Sequence, residues 1–275
     1  MDRDLSYFVS DVHLGLRVGD PEGREALFVR FLRSIPRERT EAVYLLGDIW
    51  DFWYEYRDVV PKGYVGVFAA LQELMEAGVN VFFFQGNHDV WTFRYFEELG
   101  MVRLVQPAVV SIGDACFCLG HGDGLGPGQR GYKLLRRIFH SRFLQRCFSS
   151  LHPWVAFRLG NGWSRRSRLG KSLGYTFRGA DEPLYRFCEQ FGVDRRAASL
   201  PEVDYYVFGH YHCRVDMPVL SGGRLVMLSD WISAPNYAVY GRRTGLSVQD
   251  FSPEEGLRYM SGTLTTGGSS QKMDR

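Results

Sequence analysis

The 275-residue chain is 45% hydrophobic and 15% aromatic with a formal net charge of +2, which supplies enough apolar material for one large α/β core. That composition excludes a disordered or fibrous protein, and the lack of any apolar run of roughly 18 residues excludes a membrane-spanning one. Five cysteines without paired CxxC spacing argue for reduced thiols rather than a disulfide framework.

In chain order, the first expected strand begins by Leu5, which leaves no room for a signal peptide and predicts a cytoplasmic protein. Its apolar run Tyr7-Phe8-Val9 ends in Ser10-Asp11-Val12-His13. Pro21 to Ile35 reads as an amphipathic helix with Leu27, Phe28, Phe31, Leu32 and Ile35 on one stripe. The next strand, Tyr44-Leu45-Leu46, stops at Gly47-Asp48-Ile49-Trp50-Asp51, placing two carboxylates three residues apart. Taken singly, Gly-Asp after a strand is also what a turn and a helix cap look like.

Val65 to Ala77 repeats the helical pattern and Gly78 is placed to stop it. Val79 to Gln85 suits a strand covered on both faces and ends in Gly86-Asn87-His88-Asp89. A short helix is expected over Trp91 to Leu99, then two or three hairpin-like strands over Val102 to Leu119, running into Gly120-His121-Gly122-Asp123. Tyr206-Val207-Phe208 runs likewise into Gly209-His210-Tyr211-His212, and strands are expected near Val215 to Leu220, Leu225 to Leu228 and Tyr237 to Tyr240. Ser261 to Arg275 is rich in Gly, Ser and Thr and is expected to be a disordered tail. Five of the seven histidines therefore stand directly after apolar strands, at the sheet edge where open α/β sheets carry ligands.

These motifs in this order resemble those of calcineurin-like metallophosphoesterases over about residues 5 to 240. The Trp-rich stretch Gly47 to Trp53 and the Gly-rich continuation His121 to Gly126 are similar, within that superfamily, to the UDP-2,3-diacylglucosamine diphosphatases of lipid A synthesis. The resemblance implies an α/β sandwich of two mixed β-sheets flanked by helices. It also implies two divalent metals, Mn²⁺ by subfamily: Asp11, His13, Asp48 and His212 around one, and Asp48, Asn87, His121 and His210 around the other. Mixed imidazole and oxygen donors without thiolate suit such ions, which activate water for attack at phosphorus. His88, where enterobacterial members carry Arg, would stabilise developing charge or protonate the leaving oxygen, with Asp89 orienting its ring. Asn87 and His88 would also touch substrate, and Asp51 and Asp123 would back metal-bound histidines. The implied reaction splits the pyrophosphate of UDP-2,3-diacylglucosamine into UMP and 2,3-diacylglucosamine 1-phosphate.

Charge is unevenly spread: Gly124 to Ala180 holds twelve Lys or Arg and no Asp or Glu, so the remaining chain is net acidic. Gly131 to Phe148 reads as one basic amphipathic helix, with Leu134, Leu135, Ile138, Phe139 and Phe143 at helical spacing. The expectation is one domain over residues 1–260 with a basic helical lid inserted at about 124–180. Its Leu135, Ile138, Phe139 and Phe143 would wall an acyl path and its Arg165, Arg166 and Arg168 would contact phosphate or head groups. Such a lid suits a peripheral position on the inner leaflet of the cytoplasmic membrane, with no nucleic-acid partner. A metal-dependent nuclease or nucleotide phosphodiesterase, its Arg-rich segment tracking a nucleic-acid backbone, and a noncatalytic membrane-associated scaffold are the alternatives.

Overall fold

A computed structural model describes residues 3–128, 130–169 and 175–252, with the side chains of 161, 163 and 165–169 left outside that description. Eleven strands among these residues form two sheets. In the first, β1 (Leu5–Val9), β2 (Thr40–Leu45), β3 (Asn80–Phe84) and β4 (Val102–Leu104) run parallel. Antiparallel β10 (Asn236–Gly241) and β11 (Gly245–Asp250) extend that sheet beyond β1. In the second, β5 (Ala108–Ile112), β6 (Ala115–Leu119), β7 (Tyr205–Phe208), β9 (Arg224–Met227) and β8 (Val215–Pro218) lie in that spatial order, with β6, β7 and β9 parallel.

Side-chain alternation explains why these strands are apolar throughout. Val43 and Leu45 of β2 face α1 (Pro21–Ser34) and α2 (Val65–Glu76), whereas Ala42 and Tyr44 face the second sheet. Phe117 and Leu119 of β6 meet them from the opposite side, while Cys118 points outward against α7 (Pro183–Ala197). The result is helices, sheet, sheet, helix. Asp20 caps α1 through its carboxylate and Pro21 occupies its first turn.

Several elements differ from expectation. The short helix α3 covers only Tyr95–Glu98, and α7 and β11 were not anticipated. The expected single helix over 131–148 is two, α4 (Arg130–Phe139) and α5 (Arg142–Ser149), because Ser141 takes extended backbone and restarts the chain as an N-cap. They are followed by α6 (Pro153–Leu169). The expectation for residues 261–275 lies outside the described residues. All five cysteines are free thiols, and no helix among the described residues is long and apolar enough to cross a membrane.

Phe117 is fully buried between the sheets and stacks on Phe8 at 5.5 Å and Tyr205 at 5.0 Å. Phe117→Ala should therefore cost about 3 to 5 kcal/mol in urea denaturation. A loss under about 1 kcal/mol would mean that the two sheets are not packed as described.

Candidate active site

Each motif begins where a strand stops. The chain leaves β1 at Ser10, β2 at Leu46, β3 at Gln85, β6 at Gly120 and β7 at Gly209, so all five acidic or imidazole-bearing turns emerge from carboxyl ends of strands that run parallel within their sheets. The turns bond to one another: Asp11 N–H donates to Gly47 carbonyl at 3.1 Å, His13 N–H to Asp48 carbonyl at 3.0 Å, and Gly209 N–H to His121 carbonyl at 3.0 Å.

Their backbone is unusual. Asp11, His13, Asp48, His210 and His212 have φ between 51° and 71°, five of the seven non-glycine residues with positive φ among those described. A non-glycine residue there costs on the order of 1 kcal/mol or more and persists only where surrounding structure holds it. Strain is concentrated on residues expected to ligate metal. Gly86 shows how closely the turns approach, since a Cβ there would lie 2.1 Å from Asp48 Oδ1.

The side chains converge on two buried carboxylates. Asp11 Oδ1 lies 3.3 Å from His212 Nε2 and 3.6 Å from His13 Nε2. Asp48 Oδ2 lies 3.3 Å from His121 Nε2 and 3.9 Å from His13 Nε2. Asn87 Oδ1 is 3.3 Å from His121 Nε2, and the His210 ring stands 5.1 Å from that of His121. All seven expected ligands are thus brought to one place.

The opposite nitrogens of three imidazoles are engaged from behind. His13 Nδ1 is 3.3 Å from Asp51 Oδ1, His212 Nδ1 is 3.1 Å from Asp230 Oδ2, and His121 Nδ1 is 3.0 Å from the Leu46 carbonyl oxygen. An Nδ1–H donating to Asp230 or to the Leu46 carbonyl presents the Nε2 lone pair to the cluster, the arrangement that fixes metal-binding histidines, while the Asp51 carboxylate lies beside His13 Nδ1 without an aligned hydrogen bond.

The donor set fits divalent cations. Asp11 Oδ1 is buried and accepts no hydrogen bond. The donor atoms of Asp11, His13 and His212, and those of Asp11, Asp48 and His121, lie within 4.8 Å of one another. Burial would lower the His121 ring, yet the Asp48 carboxylate outweighs it and pushes it up to about 10. Burial would raise Asp11 and Asp48, but the surrounding imidazoles hold both well below the usual carboxylate range. The two buried carboxylates that hold the His121 proton create a negative potential that cations would satisfy by displacing it.

Asp89 does not orient His88, contrary to expectation. Its carboxylate accepts four backbone N–H groups, from Gly86 at 2.7 Å, Ile49 at 2.9 Å, Asp48 at 3.2 Å and Trp50 at 3.3 Å, and so clamps the Asp48 turn to the Asn87 turn. Burial and then the Asp48 charge push its carboxyl up to about 7, against the pull of those donors. His88 is held instead from α6 and the Asp48 turn: its Nδ1 is 3.1 Å from the Asp51 carbonyl oxygen and 3.1 Å from Ser164 Oγ. Ser164 Oγ also donates to Asp51 Oδ2 at 2.6 Å.

Asp123 likewise differs from expectation, receiving Tyr132 Oη at 2.8 Å, Gln106 Nε2 at 2.5 Å and Arg136 Nε at 3.3 Å. The side chains of Arg165, Arg166 and Arg168 lie outside the described residues. Sequence reasoning missed Ser164, for which a lone Ser gives no signal. It also missed Asp230, although Leu228-Ser229-Asp230 repeats the pattern of a strand ending in an acid.

From Asn87, His88 and Ser164 a cavity of about 760 Å³ runs beneath α4, α5 and α6. Leu135, Ile138, Phe139, Phe148 and Leu159 line it opposite Phe84, Trp91 and Leu104. Phe143, expected on this wall, is instead 72% exposed on the outer surface. The roof is fastened by Tyr54 Oη to Gln145 carbonyl at 2.8 Å, Trp91 Nε1 to Phe139 carbonyl at 2.9 Å, and by Gly160, where any Cβ would fall 2.2 Å from the Phe52 ring.

Asp89→Asn keeps the shape but turns two of four acceptor contacts into donor against donor. It should cost about 3 kcal/mol in denaturant unfolding as well as reducing turnover. Unchanged stability with reduced turnover would return Asp89 to the orienting role.

A profile of the calcineurin-like phosphoesterase family matches residues 6–214. A UDP-2,3-diacylglucosamine hydrolase from Porphyromonas gingivalis is 36% identical over 257 residues, covering 88% of this chain and 96% of its own. One from Neisseria gonorrhoeae is 32% identical over 251 residues, covering 91% and 98%. Among solved structures, a dimetal phosphatase from Danio rerio is a distant likeness, 16% identical with a TM-score of 0.46 over 91% of this chain and 99% of that one. The chain belongs to the calcineurin-like phosphoesterase family and is a metal-dependent hydrolase.

Proposed function

We propose that the protein hydrolyses the pyrophosphate of a UDP-linked diacylated glucosamine, giving UMP and the acylated sugar 1-phosphate for lipid A synthesis. One observation carries the reading: the apolar cavity opens directly onto Asn87 and His88 at the edge of the histidine and carboxylate cluster. A substrate with a phosphate at one end of its sugar and acyl chains at the other matches that junction. Relatives that share most of this chain's length carry the corresponding name.

Asp11, His13, Asp48 and His212 would hold one divalent ion, and Asp48, Asn87, His121 and His210 a second, with Mn²⁺ the expected metal. Bound there, such ions supply a Lewis acid for phosphoryl oxygens and a water acidic enough to attack near neutral pH. Asp51, Asp230 and the Leu46 carbonyl keep three imidazoles oriented, and Asp89 keeps the turns in register. With Nδ1 of His88 engaged, Nε2 is the atom through which a proton or hydrogen bond reaches the oxygen that leaves phosphorus. The roof residues exclude water from the acyl chains, each buried CH₂ contributing about 0.8 kcal/mol to binding. The basic outer surface of the same helices is the side that would rest on a membrane, giving a cytoplasmic enzyme peripheral to the inner leaflet, with residues 124–180 as a lid within one domain.

Hydrolysis in ¹⁸O-water should place label in UMP and none in the sugar phosphate, because attack falls on the phosphorus next to uridine. Label in the sugar phosphate would reverse the orientation of the substrate. Replacing Ile138 and Phe139 by Ser should reduce turnover of the diacyl substrate by at least about tenfold while sparing a small chromogenic phosphodiester, since each wall position contributes on the order of 1.5 kcal/mol or more. Equal loss on both substrates would make the wall structural only.

A further inference from the structure

Outside the cavity and the metal cluster, a second groove of about 520 Å³ lies between residues 54–59 and the other flank of α5. Arg57, Arg142 and Arg146 line it, and two carboxylates face it, those of Glu55 and Asp58. Glu55 is committed elsewhere: Oε2 accepts the N–H groups of Phe93 and Arg94 at 2.7 Å and of Tyr95 at 3.1 Å, and Oε1 accepts Trp53 Nε1 at 3.2 Å. None of the three guanidiniums forms an ion pair among the described residues. Three cations lining one groove, Arg57 from the loop and Arg142 and Arg146 from α5, against a single uncommitted carboxylate, make a place where an anion lowers the energy.

The groove's surroundings identify the anion's carrier. At about 100° per residue, Arg142, Arg146 and Ser149 fall on one stripe of α5, Leu144 and Phe148 on the stripe that lines the acyl cavity, and Phe143 between them. Phe143 is 72% exposed, and Val59 on the facing loop is 47% exposed. Free phosphate would have no use for a bare valine in the groove and a bare phenylalanine next to Arg142 on α5. An interfacial surface combines apolar tips that enter the headgroup layer with arginines that take phosphate oxygens in pairs.

We propose that this groove binds the phosphate of an anionic phospholipid headgroup and so seats the protein on the membrane beside the mouth of its substrate cavity. The inference rests on the reading that the protein works at a membrane surface, and the test separates the two. Flotation of the metal-loaded, full-length protein should show tighter binding to vesicles of equal parts phosphatidylcholine and phosphatidylglycerol than to phosphatidylcholine alone. Arg57→Gln/Arg142→Gln/Arg146→Gln should lose that preference by about a hundredfold, the ratio corresponding to about 1 kcal/mol per arginine near an anionic surface. The same triple variant should hydrolyse a small chromogenic phosphodiester at the parent rate, which shows that fold and metal site survive. Phe143→Ser should weaken vesicle binding further.

Equal binding of the parent to both vesicles, or a triple variant that binds like the parent, would overturn the site. So would a preference that millimolar inorganic phosphate abolishes and Phe143→Ser leaves intact, since the groove would then be a free-phosphate site. In each of those outcomes, turnover of detergent-dispersed diacyl substrate still reports separately on the proposed reaction.

Discussion

Two carboxylates, Asp11 and Asp48, are buried side by side at the ends of adjacent parallel strands, and most of the site can be understood as the response to that constraint. Buried anions cost several kcal/mol each unless countercharge is at hand. Among the imidazoles beside them, His121 is held protonated by Asp48, and divalent cations would supply countercharge more fully. Holding the oxygens at the right separation requires turns that ordinary residues resist, which is why positive φ is concentrated on the putting-in-place of these same side chains. Asp89 answers for part of that strain by tying three N–H groups of the Asp48 turn and one of the Asn87 turn to a single carboxylate.

The stretch after Asp48 links the site to its roof. Trp50 and Trp53 turn inward and pack on Phe96 at 4.4 Å and 4.8 Å, while Phe52, Tyr54 and Tyr56 reach the helices above. Asp51 lies between, touching His13 on one side and Ser164 of α6 on the other. A displacement of α6 is therefore felt at His13 and His88 through one carboxylate and one hydroxyl. Among the described residues, the helices over the cavity have almost no buried side chains of their own, Ala156 and Ser164 excepted, and their apolar faces look onto the cavity instead of a packed core.

Much of this was legible before the structure. Strand ends show in sequence because an apolar run stops abruptly at Gly or Ser and a ligand-type residue follows, so the positions of Asp11, Asp48, Asn87, His121, His210 and His212 could be read directly. What could not be read depends on where a side chain points after the turn. Asp89 follows His88 in sequence yet faces the backbone of residues 48–50, and Asp123 faces Tyr132 and Arg136 rather than a histidine. Phe143 and Phe139 look alike on a helical wheel until Ser141 breaks the helix and rotates one of them to the outside. The long-range partner Ser164 is 113 residues from Asp51, beyond any local pattern.

We propose Asp48 as the carboxylate that two divalent ions would share. Titration calorimetry of Mn²⁺ into metal-stripped protein should give two ions per chain for the parent and no more than one tightly bound for Asp48→Asn, with both proteins equally folded by circular dichroism. Two ions held by Asp48→Asn with the parent's affinity, or none held by the parent, would contradict it.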